Sequence, residues 1–164
     1  MISKEESRVY EALEGLGIPY KKYEHKAVFT VEEANNLDIR IPGGHCKNIF
    51  VCDKKKETYI LVVLPDEKSV NFKELSNKTG YKGLKFASEE MLEKYLGLKA
   101  GSVSPFGLVN DDKKKVEVII DKDIFRTGLV GFHPNVNTST LTVTSEDFRK
   151  FLEGSGNKVR YMEL

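Results

Sequence analysis

Long apolar runs are missing from this 164-residue sequence; none approaches the roughly 18 residues that a membrane-spanning helix needs. The opening Met-Ile-Ser-Lys-Glu-Glu-Ser has charges with no apolar core behind them, unlike a signal peptide, so the expected location is cytoplasmic, with no membrane partner. Cysteine is scarce. Cys46 and Cys52 fall on one apparent strand, about 20 Å apart, too far for a disulfide, and read as core thiols. Cys-x-x-Cys and His-Glu-x-x-His are absent and the three histidines are scattered, so no metal ligand set and no cofactor is expected. Linker-like stretches, repeats and low-complexity tracts are absent as well, which favours one domain over residues 1–164. A formal charge of +1 excludes a strongly basic nucleic-acid sponge, but leaves room for contact with a single-stranded end through a local basic rim.

What is present alternates between helical and strand patterns, the mark of an α/β (α+β) chain. Ser3 and Glu6 form a capping box ahead of Val9, Leu13 and Leu16, predicting a helix over Lys4–Leu16 that Gly17 stops. Ile18–Tyr23 reads as a strand. His25 reads as a solvated loop histidine, and Thr30 with Glu33 as a second capping box. A strand from Cys46 meets the polar turn Asp53–Glu57 and returns as Thr58–Pro65, apolar on both faces and therefore central. The lysines of that turn, Lys54 to Lys56, serve solubility, with phosphate contact as a second reading. Helices are predicted over Phe72–Lys78, capped by Asn71, and over Glu89–Leu96, capped by Ser88, with Leu84–Ala87 as a strand between them. Strands follow at Leu108–Asn110, Val116–Asp121, Thr127–His133 and Asn137–Val143, then a helix over Glu146–Leu152 and a last strand at Val159–Met162.

Lys47 stands out because it sits in a strand-like, otherwise apolar segment, sharing a face with Ile49 and Val51 while Asn48 takes the other. A strand-end lysine snorkelling to water, or a structural ion pair, explains it most simply. Two loops give it company: Gly101-Ser-Val-Ser-Pro105, a rigid turn able to present N–H groups and hydroxyls, and the turn at His133. Gly-x-Ser-x-Gly and a P-loop are absent, and Cys46 points away from Lys47. A cation, a donor loop and an imidazole without an obvious general base suit oxyanion stabilisation on an already reactive ester, with the three groups meeting across one hollow.

Four segments in order carry a resemblance: His25–Ala34, Lys47–Lys54, Gly101–Leu108 and Phe132–Thr138. Together they resemble the YbaK and prolyl-tRNA-synthetase-associated editing domain family, nearest its free-standing prolyl-tRNA editing branch. The resemblance implies a mixed, largely antiparallel β-sheet flanked by helices and an enzyme that hydrolyses the ester of mischarged tRNA(Pro). It implies Lys47 and His133 as catalytic residues. Phe29, Thr30, Asn48, Gly101, Ser102, Val103, Ser104, Pro105, Pro134 and Asn137 follow as substrate-binding ones. The implied partner is the acceptor end of tRNA(Pro), with prolyl-tRNA synthetase as a further partner. Alanyl-tRNA(Pro) is the first-choice substrate, since a missing methylene or two gives the synthetase only about 1–3 kcal/mol of discrimination. Cysteinyl-tRNA(Pro) is the alternative, and a non-catalytic module that binds a tRNA end and regulates is a third reading. Asn135 and Cys46 stand where many relatives carry an apolar residue and threonine, a difference that bears on substrate preference.

Overall fold

The structure is a computed structural model that describes residues 2–27 and 41–164. Phe29, Thr30 and the predicted Thr30–Glu33 capping box lie outside the described residues.

Helix α1, Lys4–Gly15, starts where Ser3 accepts the Glu6 N–H, and it buries Val9, Tyr10 and Leu13 on one face. Strand β1, Lys21–Glu24, lies slightly later than its predicted position. Strands β2, Gly44–Cys52, and β3, Tyr59–Pro65, form the expected antiparallel hairpin, with Phe50 opposite Leu61. Helix α2 spans Phe72–Thr79 and ends on Gly80 in the left-handed conformation. A two-residue β4, Lys85–Phe86, precedes α3, Glu89–Leu96, which Ser88 caps. Then come β5, Val116–Asp121, β6, Leu129–Phe132, β7, Ser139–Thr144, α4, Ser145–Gly154, and β8, Val159–Met162.

The sheet runs β1-β7-β6-β2-β3-β5-β8, with β4 on β2. Four of its pairings are antiparallel (β1/β7, β2/β3, β2/β4, β6/β7) and three are parallel (β2/β6, β3/β5, β5/β8), giving the expected mixed sheet. Its two faces bury separate clusters. The larger one gathers Phe50, Leu61, Phe106, Phe132 and Phe148 under α1, α3 and α4, while the smaller gathers Val51, Ile60, Val62 and Ile119 under Leu75 of α2. β3 sits between both, and all seven of its residues are buried. Each large aliphatic side chain removed from water in this way contributes about 1.5–3 kcal/mol.

One predicted strand is a helix. Residues Pro105–Asn110 form a 3-10 helix because Ser104 accepts the Phe106 N–H and proline occupies its first turn; Asn110 then donates to the Leu96 carbonyl. A second 3-10 turn, Lys122–Arg126, precedes β6 and shortens it. No described helix is long and apolar enough to cross a membrane.

Candidate active site

β2 carries the opening on which the site is built. β3 pairs one of its edges from Cys46 to Cys52, whereas on the other edge β6 meets only Gly44 and His45 and β4 only Val51 and Cys52. Ala87 donates to the Phe50 carbonyl and closes the β4 end. Residues 46–49 therefore have no strand neighbour on that edge among the described residues. The His45 carbonyl accepts from Asp66, toward the β3 side, and the Phe50 carbonyl turns the other way. Alternation along the strand then aims the N–H and C=O of Asn48 into the gap.

The side chains follow the same alternation. Cys46, Phe50 and Cys52 pack with the larger cluster, and Ile49 and Val51 with the smaller one, so Lys47 belongs to the smaller cluster's face. The parallel register pairs Gly44 with Val130 and His45 with Gly131 and stops there; Lys47 lies two residues further along β2, and His133 follows buried Phe132, the last residue of β6. The glycines at the entry permit this approach. A Cβ on Gly44 would lie 2.8 Å from Thr127, and one on Gly43 would lie 2.9 Å from Leu129. Lys47 is half-buried and makes no ion pair among the described residues, so its ammonium charge is uncompensated there.

His133 is held by Nδ1, 2.9 Å from the Ser139 carbonyl oxygen. A carbonyl only accepts, so Nδ1 carries the proton and Nε2 keeps its lone pair. Burial lowers the imidazole's pKa below the ordinary histidine value; the Ser139 bond opposes this and the neighbouring His25 adds to it. His25, read from sequence as a solvated loop histidine, is a half-exposed residue of the loop after β1, and both its ring nitrogens have partners. Its ring centroid lies 5.9 Å from that of His133, its Nδ1 is 2.8 Å from the Lys26 carbonyl oxygen, and its Nε2 is 2.9 Å from Thr140 Oγ1. β1 running beside β7 brings it there, a non-local pairing with no local sequence signal.

A cavity of about 460 Å³ joins the glycine–proline loop to the turn after His133, with Ser102, Asn135, Val136, Asn137 and Thr138 in its wall and Lys99 and Glu93 at its side. Gly101 takes φ +90, and Asn135, also left-handed at φ +64, donates from Nδ2 toward the Phe106 carbonyl at 3.5 Å. Neither Lys47 nor His133 lines this cavity, so the loop meets the 135–138 turn there and the three groups expected to meet across one hollow do not share it. Among the expected binding residues, Ser102 and Asn137 face the cavity. Ser104, Pro105 and Pro134 are buried and shape the loops; Ser104 is committed to capping, and Val103 packs against the larger cluster. Asn48 Oδ1 is buried without a hydrogen-bond partner, as is Asn135 Oδ1. Each such orphan costs about 1–3 kcal/mol unless a ligand group meets it. Cys46 is no rival nucleophile: burial, reinforced by Asp66, Glu67 and Asp121, pushes its thiol up to about 12. No described group of three or more His, Cys, Asp or Glu side chains is placed to hold a metal ion.

Known proteins resemble this chain in sequence and in fold. The profile of the aminoacyl-tRNA editing domain family matches residues 25–151. The prolyl-tRNA editing protein ProX of Acetoanaerobium sticklandii is 39% identical over 156 residues, covering 95% of each chain. Prolyl-tRNA synthetase associated domain-containing protein 1 of Bos taurus is 33% identical over 151 residues, covering 90% of this chain and 88% of that one. A solved structure described as a candidate trans-editing enzyme for prolyl tRNA synthetase superposes with a TM-score of 0.76 at 19% identity, covering 100% of this chain and 99% of that one, and shares the fold. The chain belongs to the aminoacyl-tRNA editing domain family, and its activity class is that of a hydrolase acting on an aminoacyl ester.

Proposed function

We propose that this chain, acting as a single editing domain in the cytoplasm, deacylates mischarged tRNA(Pro), with alanyl-tRNA(Pro) as its principal substrate. The observation that carries the reading is the Lys47 ammonium, half-buried at the β2 opening and without an ion pair among the described residues. The similarity to a prolyl-tRNA editing protein along nearly the whole chain supplies the tRNA.

The chemistry is ester hydrolysis. Water, assisted by the substrate's own ribose hydroxyl, attacks the carbonyl carbon; the carbon–oxygen bond to the ribose breaks, and the ribose oxygen takes a proton. Lys47 stabilises the negative charge that develops on the carbonyl oxygen, a role in which one well-placed donor contributes about 2.7–4 kcal/mol. The Asn48 backbone groups at the gap fix the orientation of the aminoacyl end, and Ser102 of the Gly101–Pro105 loop holds a further part of the substrate together with Asn137, in the cavity that Lys47 does not line. Ser104, Pro105 and Pro134 keep those loops in shape. His133 borders the side-chain pocket and its Nε2 lone pair accepts from the substrate's ammonium; a small pocket there admits alanine and refuses proline. Phe29 and Thr30 complete the binding set, and prolyl-tRNA synthetase is the partner that supplies the mischarged product.

A deacylation panel tests the substrate. Alanyl-, cysteinyl-, seryl- and prolyl-tRNA(Pro) are compared at one stated salt concentration, with alanyl-tRNA(Pro) expected to be hydrolysed fastest and prolyl-tRNA(Pro) spared. A cysteinyl preference would move the chain to the other substrate branch, and hydrolysis of none of the four would refute the deacylase reading.

A further inference from the structure

The site accounts for the opening in β2 but not for the surface beyond its β4 end. Lys54, Lys55 and Lys56 in the β2–β3 turn stand beside Lys82 and Lys85 on the segment that pairs with β2. The Lys54 N–H donates to the Lys82 carbonyl at 2.9 Å, and Cys52 lies opposite Lys85, so the five lysines share one patch. All five are exposed, and none forms an ion pair among the described residues. The turn also carries exposed Glu57 and half-buried Asp53, whose carboxylate accepts the Glu57 and Thr58 N–H groups. In a chain of net charge +1, this concentration of uncompensated cations is local rather than general.

Phe86 adds the second element. It is 66% exposed, the most exposed large apolar side chain among the described residues, and it is held edge-on by Phe72 with ring centroids 5.0 Å apart. Val51, its register partner, is four residues along β2 from Lys47, about 13 Å at strand rise. Phe86 thus stands between the sheet opening and the lysines. Lys56 adopts φ +58, a conformation that glycine takes freely and lysine only at a cost.

We propose that this patch is the docking surface for the RNA stem that follows the aminoacylated end. The lysines track phosphates beyond the terminal nucleotides, and Phe86 offers a stacking platform at the mouth of the site. An aromatic face next to a row of ammonium groups fits nucleic acid, because stacking and phosphate contact together hold a strand without reading its sequence. The inference rests on the deacylase reading above for the identity of the RNA.

The test compares the wild type with a Lys54→Gln/Lys55→Gln/Lys56→Gly variant and with Phe86→Ser. Binding of uncharged tRNA(Pro) is measured across salt concentrations, and hydrolysis is measured on both alanyl-tRNA(Pro) and an alanyl ester of adenosine alone. The lysine variant should bind tRNA at least 10-fold more weakly and lose about two to three units of slope in log affinity against log salt, at about 0.9 per phosphate contact. It should raise KM on alanyl-tRNA(Pro) without changing kcat, and leave hydrolysis of the adenosine ester alone. Phe86→Ser should raise KM with the salt slope unchanged. Lys56→Gly alone keeps the test valid if the triple variant folds poorly, since it should raise Tm while weakening tRNA binding. Wild-type tRNA affinity and salt slope in folded lysine variants overturn the proposal, as they would if the patch served an acidic protein instead. Because the binding arm uses uncharged tRNA, a wild type that binds but does not hydrolyse contradicts the deacylase reading and not this one.

Discussion

β2 and β3 are neighbours in one hairpin and do opposite jobs. Every residue of β3 is buried, with strands on both edges and a packed cluster on each face, whereas β2 is buried only at its Phe50–Cys52 end. Between its β6 and β4 pairings, β2 has no strand partner on one edge among the described residues, which leaves Lys47 and Asn48 at a gap. β3 is built for stability alone. β2 instead carries a charged side chain and backbone groups that no strand among the described residues satisfies, at a cost in stability.

The largest effect on stability should come from β3. Leu61→Ala removes a fully buried side chain opposite Phe50, and we expect it to destabilise the fold by about 2–5 kcal/mol in chemical denaturation. A loss below about 1 kcal/mol would mean that β3 is not the central strand described here. Asn48→Ala on β2 should behave differently, because its buried Oδ1 already lacks a partner. We expect a stability change within about 1 kcal/mol, together with a raised KM for deacylation. A cost as large as that of Leu61→Ala would erase the contrast between the two strands.

Protonation gives a third, smaller handle. Because burial holds the His133 pKa below its ordinary value of about 6.5, the unfolded chain binds that proton first as pH falls. The histidine's contribution to stability is therefore complete above the ordinary value and is lost as pH drops from there through the lowered folded value. Thermal unfolding at stepped pH between about 7 and 5 should show a steeper decline for the wild type than for His133→Gln. Parallel declines would place the pH sensitivity elsewhere. The smallest effect concerns Cys46, whose thiol is pushed up to about 12. In the native protein it should resist alkylation at neutral pH, reacting only after unfolding; prompt labelling would show an accessible thiolate beside Lys47.

Much of this was legible in the sequence because the signals were local. The Ser3, Asn71 and Ser88 caps start helices where residue type alone places them, and Gly80 and Gly97 follow the ends of two of these in left-handed geometry. Lys47 was conspicuous because a cation in an apolar alternating segment has few inexpensive explanations. What escaped depended on distant partners. Leu108–Asn110 has the composition of a strand, but Ser104 and Pro105 upstream and the Leu96 carbonyl across the chain wind it into a 3-10 helix. His25 resembled any loop histidine until β1 and β7 paired and set it against His133. Phe86 and the lysines about it likewise form a patch only once β4 docks on β2. The single hollow expected for all three groups is not formed: the loop cavity leaves Lys47 and His133 outside its wall, a separation that no motif records.

The central claim is that the Lys47 ammonium acts on the reaction and not on the fold. Single-turnover deacylation of alanyl-tRNA(Pro) by Lys47→Ala, with circular dichroism and Tm recorded on the same preparation, tests it most directly. The account predicts a rate reduced by about 10²-fold or more with spectrum and Tm preserved; a folded variant that hydrolyses the ester at the wild-type rate would contradict it.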